Sequence, residues 1–486
     1  MLGSSDGRRQ YQELEVALSM DDSTKKQSAL LHDATITPRD NRKDRGKTLR
    51  ASITRASHAG WIVPASRPDP LTLLEESNQG RITELTPIRW GRMMVSPFTF
   101  FRGAAALMAS DLAHTPSTNV QVQACGDCHL LNFGAFATPE RNVSFDINDF
   151  DETLPAPWEW DIKRLTVSFV LACRSSALKP KFQAAAARAV SRAYREKMAE
   201  YARMSILDIW YDRIDWQHVI ASTTSPDIKN RREAALRQAQ RRNSEYYFPK
   251  LVERHAGRQD YTIKDSPPTI YHIEDKAGTS FKASVEQALE GYKATLQEDK
   301  RRLFSRYRFV DCAIKVVGIG SVGTTCLVLL MLAPDDEPLF LQMKEARLSV
   351  LEPYAGGSTF TNRGQRVVEG QRIIQSASDI FLGWTEFGDN DKHFYIRQLR
   401  DTKIKLEPET WDGKMMTEMA LLMGAVLARA HARSGDSAVI SGYLGNNEEF
   451  DEAVADFSLA YADQVERDHA ILVNAAQTER IKVLQE

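Results

Sequence analysis

Hydrophobic positions along the chain change their period several times, and those changes divide it. Residues 1–55 carry few aromatic side chains between charged runs such as Arg39-Asp-Asn-Arg-Lys-Asp-Arg-Gly-Lys47. That composition predicts a disordered or loosely attached segment. A helical pattern opens at 71–76, after Ser66-Arg-Pro-Asp-Pro70. Ser96-Pro97 is a start signal for a helix carrying Ala104, Ala105, Leu107, Met108 and Leu112. Residues 120–124 read as a strand, and 133–137 with 143–147 as a hairpin across Pro139-Glu-Arg-Asn142. From 158 to 257 the pattern is mostly helical, and another helix is expected over 284–304. Strands follow at 309–317, 324–331 and 339–344, then helices at 365–376, 415–431 and 448–464, with a further strand-like run over 394–399. The pattern predicts an α+β protein with helices around two separate groups of strands. Its expected parts are a large helical lobe over 56–305, a small sheet lobe over 306–402, and helices over 403–486 that return to the large lobe.

Charge and composition narrow the function classes. The 486 residues hold 63 basic and 65 acidic side chains, a net charge of −2, which argues against bulk binding to nucleic acid or to a membrane surface. The longest apolar run, 326–333, is far short of the ~20 residues that span a bilayer. Five cysteines cannot form a disulfide framework, and the N-terminus lacks an apolar leader core, so a cytoplasmic location is expected.

Two constellations carry candidate chemistry. The first is Gly126-Asp127-Cys-His129-Leu-Leu-Asn132, followed by Asp149-Phe-Asp-Glu152 and Trp160-Asp161. An Asp followed five residues later by Asn, on a loop between strand and hairpin, is the layout of a phosphotransferase catalytic loop. Its carboxylate orients the attacking hydroxyl, and the Asn supplies a neutral oxygen for magnesium. The blander reading is that these residues cap turns. Cys125-Gly-Asp-Cys128-His129 also matches a c-type haem attachment motif, and the cysteine pair alone is half a zinc site.

The second constellation is Gly318-Ile-Gly320-Ser321-Val-Gly323 with Lys344. In a dinucleotide-binding unit such glycines open a helix. Here strand formers follow, then a turn at Pro334-Asp-Asp-Glu337, then a strand ending in Lys344. Strand, glycine loop, strand, turn and strand with lysine predicts backbone N–H groups over phosphates and a lysine on the α- and β-phosphates. Such a lysine needs a fixing carboxylate, and Glu369 on the helix over 366–375 is the expected one. The bland alternative makes Lys344 and Glu369 solvated surface residues.

The first segment resembles the His-Gly-Asp-x-His-x-x-Asn loop of aminoglycoside and choline kinases, with Cys125 where those kinases usually place His. The resemblance implies Asp127 as the catalytic acid, Asn132 and Asp149 as magnesium ligands, and Asp161 as a buried acid bracing the loop by backbone hydrogen bonds. ATP and Mg²⁺ are then the expected cofactors, with a small-molecule or protein hydroxyl as acceptor. The parts stand in an unusual order, because the glycine loop and Lys344 come about 190 residues after the catalytic loop. Joining the chain ends restores the kinase order, so the resemblance implies a circularly permuted, protein-kinase-like two-lobed fold. Nucleotidyl transfer on the same fold, a non-catalytic nucleotide-binding module, and a redox protein using Cys125/Cys128 are the alternatives. The helix ending in His431 resembles the one before a kinase catalytic loop, but no Asn stands five residues past Asp436, and a lone His there reads as a cap or packed residue.

The whole sequence also resembles the mostly bacterial family called domain of unknown function 2252. The likeness runs from about residue 60 to 470, on Arg67-Pro-Asp-Pro70, Ser96-Pro-Phe-Thr-Phe-Phe-Arg-Gly103, 125–132, Asp146-Ile-Asn-Asp-Phe-Asp-Glu152, Gly364-Gln-Arg-Val-Val-Glu-Gly-Gln371 and Ala430-His-Ala-Arg-Ser-Gly-Asp436. The family name implies no activity. Arg102 reads as an anion-binding residue or, preferably, a structural ion pair. His129 lines the site or braces its loop, Asp146 and Asp151 are further possible metal contacts, and Trp158 and Trp160 are expected to pack beneath Asp161.

Overall fold

A computed structural model describes residues 37–254, 261–273, 281–388, 392–399 and 402–484. Its largest apolar core is helical. The helices Trp158–Ser175, Pro180–Tyr201, Gly413–Ser434 and Glu449–Gln477 enclose it. Gly424 lets two of them meet closely, because a Cβ there would lie 2.2 Å from the carbonyl oxygen of Val190. The capping box predicted by Ser96-Pro97 forms between Ser96 and Thr99, but the chain bends at Ala104, giving two short helices, Pro97–Gly103 and Ala105–Leu112.

Strands fall into two regions. Beside the helical core, β1 (Gln121–Ala124) pairs with β4 (Leu154–Pro157), and β2 (Phe133–Ala137) forms the expected hairpin with β3 (Val143–Ile147). Strand β4 was not foreseen, since its Leu-Pro-Ala-Pro sequence lacks two backbone donors. Farther along, β5 (Val252–Arg254) pairs with β6 (Tyr261–Ile263). The main sheet contains β7 (Ile270–Tyr271), β8 (Arg308–Lys315), β9 (Cys326–Leu332), β10 (Pro338–Ala346), β11 (Gly383–Phe387) and β12 (Lys392–Gln398). Its order is β11-β12-β10-β9-β8-β7, and every neighbouring pair is antiparallel. The glycine-rich segment is therefore the link of an antiparallel pair and opens no helix, which removes the dinucleotide-fingerprint layout.

The helix expected over 284–304 is two, Phe281–Thr295 and Glu298–Phe304. The first buries Val285, Leu289 and Tyr292 against Leu329, Leu341 and Phe394 of the sheet. That apolar stripe attaches it to the sheet. Among the described residues no helix is long and apolar enough to cross a membrane.

The expectation for the N-terminus needs correcting in part. Residues 1–36 lie outside the described residues, but Arg39–Leu49 is a helix docked on the helix Ser437–Leu444. It has little apolar surface and is held by close backbone approach and by arginine. A Cβ on Gly46 would lie 2.0 Å from Val439 O, and one on Gly442 would lie 2.1 Å from Lys43 O. Arg50 donates to Tyr443 O at 2.8 Å, and Arg42 pairs at 2.8 Å with Asp436, the N-cap of the partner helix. A hydropathy pattern cannot show such contacts. Gly442→Ala is expected to detach this helix although alanine favours helix by about 1 kcal/mol. Limited proteolysis should then cut near residue 50 much faster than in the parent, with the helical core still protected.

Candidate active site

The first site loop follows β1. The chain turns at Gly126 with φ +82°, and a Cβ there would lie 2.3 Å from Glu152 O, so glycine is needed twice over. Asp161, in the first turn of Trp158–Ser175, accepts the backbone N–H of Cys125 at 2.6 Å and of Gly126 at 3.0 Å. This is the brace that the sequence assigned to it. Behind Asp161 stand His431 Nε2 at 3.3 Å and, on the ring's other nitrogen, Tyr194 OH at 2.9 Å. Trp158 stacks on Tyr194 with centroids 5.5 Å apart, and Trp158 and Trp160 are both buried, as expected of packing residues. His431 is thus a packed residue with a task, while Asp436 caps a helix.

Asp127 sits on the loop that these bonds fix. Its carboxylate is held by Arg164, through Nε at 2.7 Å and through Nη2, and the guanidinium lies 4.2 Å from the Phe101 ring centre. Asn132 donates Nδ2 to Asp127 O at 2.7 Å and accepts Asn148 N on its own carbonyl at 2.7 Å. With its amide nitrogen so engaged, its Oδ1 is the atom left for a cation. His129 is buried with Nε2 3.8 Å from Asp127 Oδ2. Burial, and then the charges of Arg102 and Arg164, hold the imidazole well below its ordinary pKa, so it stands neutral beside Asp127.

Lys344 meets this loop from the sheet. Its Nζ lies 4.0 Å from Asp149 Oδ1 and in direct contact with Asp151. Tyr395 OH also donates to Asp151, at 2.8 Å, and Ser321 Oγ donates to it at 3.3 Å. Tyr395 is the cross-strand partner of Lys344 in the β10–β12 register. Burial and then the charge of Asp151 raise the pKa of Asp149, whereas Lys344 holds Asp151 below its usual range against the same burial. The two carboxylates in turn raise Lys344 well above an ordinary lysine in spite of its burial. The Arg397 charge also acts on both acids, so the pair is set between two cations.

The glycine loop is tied to the helical region. Gly318 and Gly323 have φ +67° and +85°. Gly318 O accepts Arg92 Nη1 at 2.7 Å, Val322 O accepts Arg81 Nη1 at 2.6 Å, and Gly323 O accepts Ile82 N at 2.7 Å. A Cβ on Gly320 would lie 3.5 Å from Arg102 O. With Ser321 on Asp151, these contacts put the loop over the acids.

Four readings change. Glu369 does not fix Lys344. It pairs with Arg372 at 2.9 Å, one turn along its own helix Arg363–Ile374, whose inward Arg366 instead donates to the carbonyl oxygens of Thr153, Asp151 and Arg347. The carboxylate that fixes the lysine is Asp151, which sequence order alone did not separate from Asp149. Asp146 is no metal contact, since it is fully buried and held by Arg429. Arg102 makes no ion pair within 4 Å among the described residues, and its buried Nε has no acceptor, so the structural-ion-pair reading fails. The Cys125 and Cys128 thiols are buried, and they lie within 4.8 Å of an Asp161 carboxylate already occupied by backbone donors. Burial of both thiols leaves no open face for a haem, and among the described residues Asp161 is the one further ligand beside the pair, short of the four that a structural zinc takes.

The donors left open at the centre, Asn132 Oδ1 and the Asp149 carboxylate, are both oxygen, and Asp151 beside them is held by Lys344, Tyr395 and Ser321. They suit a hard cation of the magnesium type and suit zinc poorly. The family model described as an uncharacterised protein conserved in bacteria, DUF2252, matches residues 81–475. The chain belongs to this family. DUF2252 carries no assigned chemistry, and neither a curated protein nor a solved structure matches the chain. Within DUF2252, then, function has to be read from these side chains. Arg164 and Tyr395 were missed from sequence because an arginine and a tyrosine at helical and strand spacing carry no motif.

Proposed function

We propose that the protein is an ATP- and magnesium-dependent phosphotransferase, built on a kinase-like two-lobed fold whose parts follow one another in circularly permuted order. One observation carries the reading: Lys344 and Asp149, 195 residues apart in sequence, lie 4.0 Å apart beside the loop of Asp127 and Asn132. Lys344 would move from Asp151 to the α- and β-phosphates of ATP, with Gly318, Gly320, Ser321 and Gly323 over them. Asp149 and Asn132, joined by Asp151, would hold Mg²⁺, which supplies positive charge to the transferring phosphoryl group. Asp127 orients the acceptor hydroxyl. Its tie to Arg164 fixes the direction in which it faces that hydroxyl, and a loose phosphoryl transition state relies on positioning above all. The nucleotide and a small-molecule or protein hydroxyl are the partners, in the cytoplasm.

Transfer of AMP is the second reading, favoured only by the same set of residues holding a nucleotide the other way round. Incubation with ATP labelled separately at the γ- and α-phosphates, against a metabolite extract and against protein, tests both. Label leaving from γ is the expected result. Label leaving from α makes the protein a nucleotidyl transferase, and transfer from neither position, in parent and Lys344→Met alike, leaves a binding module.

A further inference from the structure

Arg102 stands in the last turn of the helix Pro97–Gly103, and its backbone is fixed from both sides. The carbonyl before it, of Phe101, accepts Arg164 Nη2 at 3.0 Å, and the one after it, of Gly103, accepts Arg89 Nη2 at 2.8 Å. Phe98, Phe100 and Phe101 bury the rest of this helix in the core. Its own carbonyl approaches Gly320 of the glycine loop.

A side chain placed so firmly has no counter-charge. No carboxylate lies within 4 Å of the guanidinium among the described residues. Nε is closed off without an acceptor, while Nη1 and Nη2 keep contact with solvent and bond to nothing among the described residues. Two carboxylates act on it from farther away, Asp127 and Glu409. Arg164 already holds Asp127 through two nitrogens, and Glu409 is exposed on the turn Pro408–Thr410, where water and salt screen it. His129 nearby stands neutral and adds no charge. Burial therefore opposes this guanidinium with nothing adjacent to offset it, and an anion brought to the open nitrogens would do so.

The neighbours show which reactant carries that anion. Asp127 and Glu409 are the carboxylates whose charge reaches Arg102, and Asp149 and Asp151 are not among them. Arg102 thus lies on the Asp127 side of the centre, away from the acids that meet Lys344. A planar guanidinium with two open nitrogens matches a carboxylate or a phosphate through paired hydrogen bonds. The side chain is only partly open, which suits the charged end of a small molecule better than a face of a protein.

We propose that Arg102 is an acceptor-binding residue, and that the acceptor is a small alcohol carrying a carboxylate or phosphate group. This rests on the phosphotransfer reading, which makes the Asp127 side the acceptor's, although binding of the anion to Arg102 needs no ATP.

Two measurements on the full chain test it. The first is calorimetric titration, without nucleotide, with glycerate and glycerol 3-phosphate against neutral glycerol. At least one anion should bind more tightly than glycerol, and which one does separates a carboxylate from a phosphate. Arg102→Met should weaken that anion about tenfold or more, the loss expected with a charge-assisted hydrogen bond, and Arg102→Lys should keep part of it. The thermal midpoint of Arg102→Met should stay level or rise, because the change breaks no hydrogen bond and removes an unpaired charge. The second is transfer from γ-labelled ATP to a metabolite extract divided on an anion exchanger. Label should enter the retained fraction, and Arg102→Met should slow this at low extract while the KM for ATP stays near the parent value. Neither anion binding up to about 10 mM, or equal binding by parent and Arg102→Met, overturns the proposal. So does a lowered midpoint, label in the unretained alcohols or in protein, or a raised KM for ATP in Arg102→Met. No transfer by the parent to any fraction strikes the phosphotransfer reading instead, and the titration alone then decides whether Arg102 binds the anion.

Discussion

Asp161→Ala is expected to lower the free energy of unfolding by about 3 kcal/mol or more without touching any group at the reacting centre. The carboxylate accepts two backbone N–H groups, of Cys125 and Gly126, and faces His431, and all of these lie within the protein. Each buried donor left unpaired costs about 1–3 kcal/mol. Alanine removes both acceptors together and leaves a cavity too small to admit several waters. Asp161→Asn should fall between the two, since its one carbonyl oxygen satisfies one N–H while its amide nitrogen opposes the other. Urea unfolding of parent, Asp161→Asn and Asp161→Ala should rank them in that order. Asp463→Ala, which removes an exposed partner of Arg174, should stay within about 0.5 kcal/mol of the parent. Equal stability of Asp161→Ala and parent would mean that the loop holds its shape without the brace, and the role read for Asp161 would be wrong.

The same residue shows what was legible in the sequence. Asp161 could be placed because the acids before it resemble, in order, those that follow the catalytic loop in aminoglycoside and choline kinases. The β2–β3 hairpin and the strands β8, β9 and β10 were legible for an equally local reason, their alternation and their turns. Glu369 failed because the expectation supplied an acid on a helix without the rotation of that helix. Arg366 and its three carbonyl partners set that rotation, and these partners come from segments about 20 and 215 residues away. The Arg39–Leu49 helix failed because composition measures apolar area. This helix is held by glycine-to-carbonyl contact and arginine caps, which leave no hydrophobic signature.

Asp149→Asn and Asp127→Asn are expected to fail in different ways, and the difference tests the proposed roles. About a third of the Asp149 side chain is exposed (35 %), and its one side-chain hydrogen bond inside the site is from Asp151 N, at 3.3 Å. An asparagine at this position would keep the fold and the loop, so the thermal midpoint should hardly move. Removing one of two adjacent carboxylates should cut magnesium-dependent nucleotide binding and lower transfer by about a thousandfold or more. Asp127 is different, because among the described residues its carboxylate is the only anionic partner of Arg164, which is 2 % exposed. Asp127→Asn should therefore leave nucleotide affinity near the parent value and lower transfer by about 10²–10⁴. It should also cost stability, since a buried guanidinium loses its counter-charge. Pairing it with Arg164→Met separates the two effects. The double variant should regain the lost stability and none of the lost transfer. Recovery of transfer in the double variant would reduce Asp127 to a partner for Arg164, and the catalytic loop would then be a structural turn. A stable, fully active Asp149→Asn would remove the metal from the proposal, and with it the reason for two acids to face Lys344.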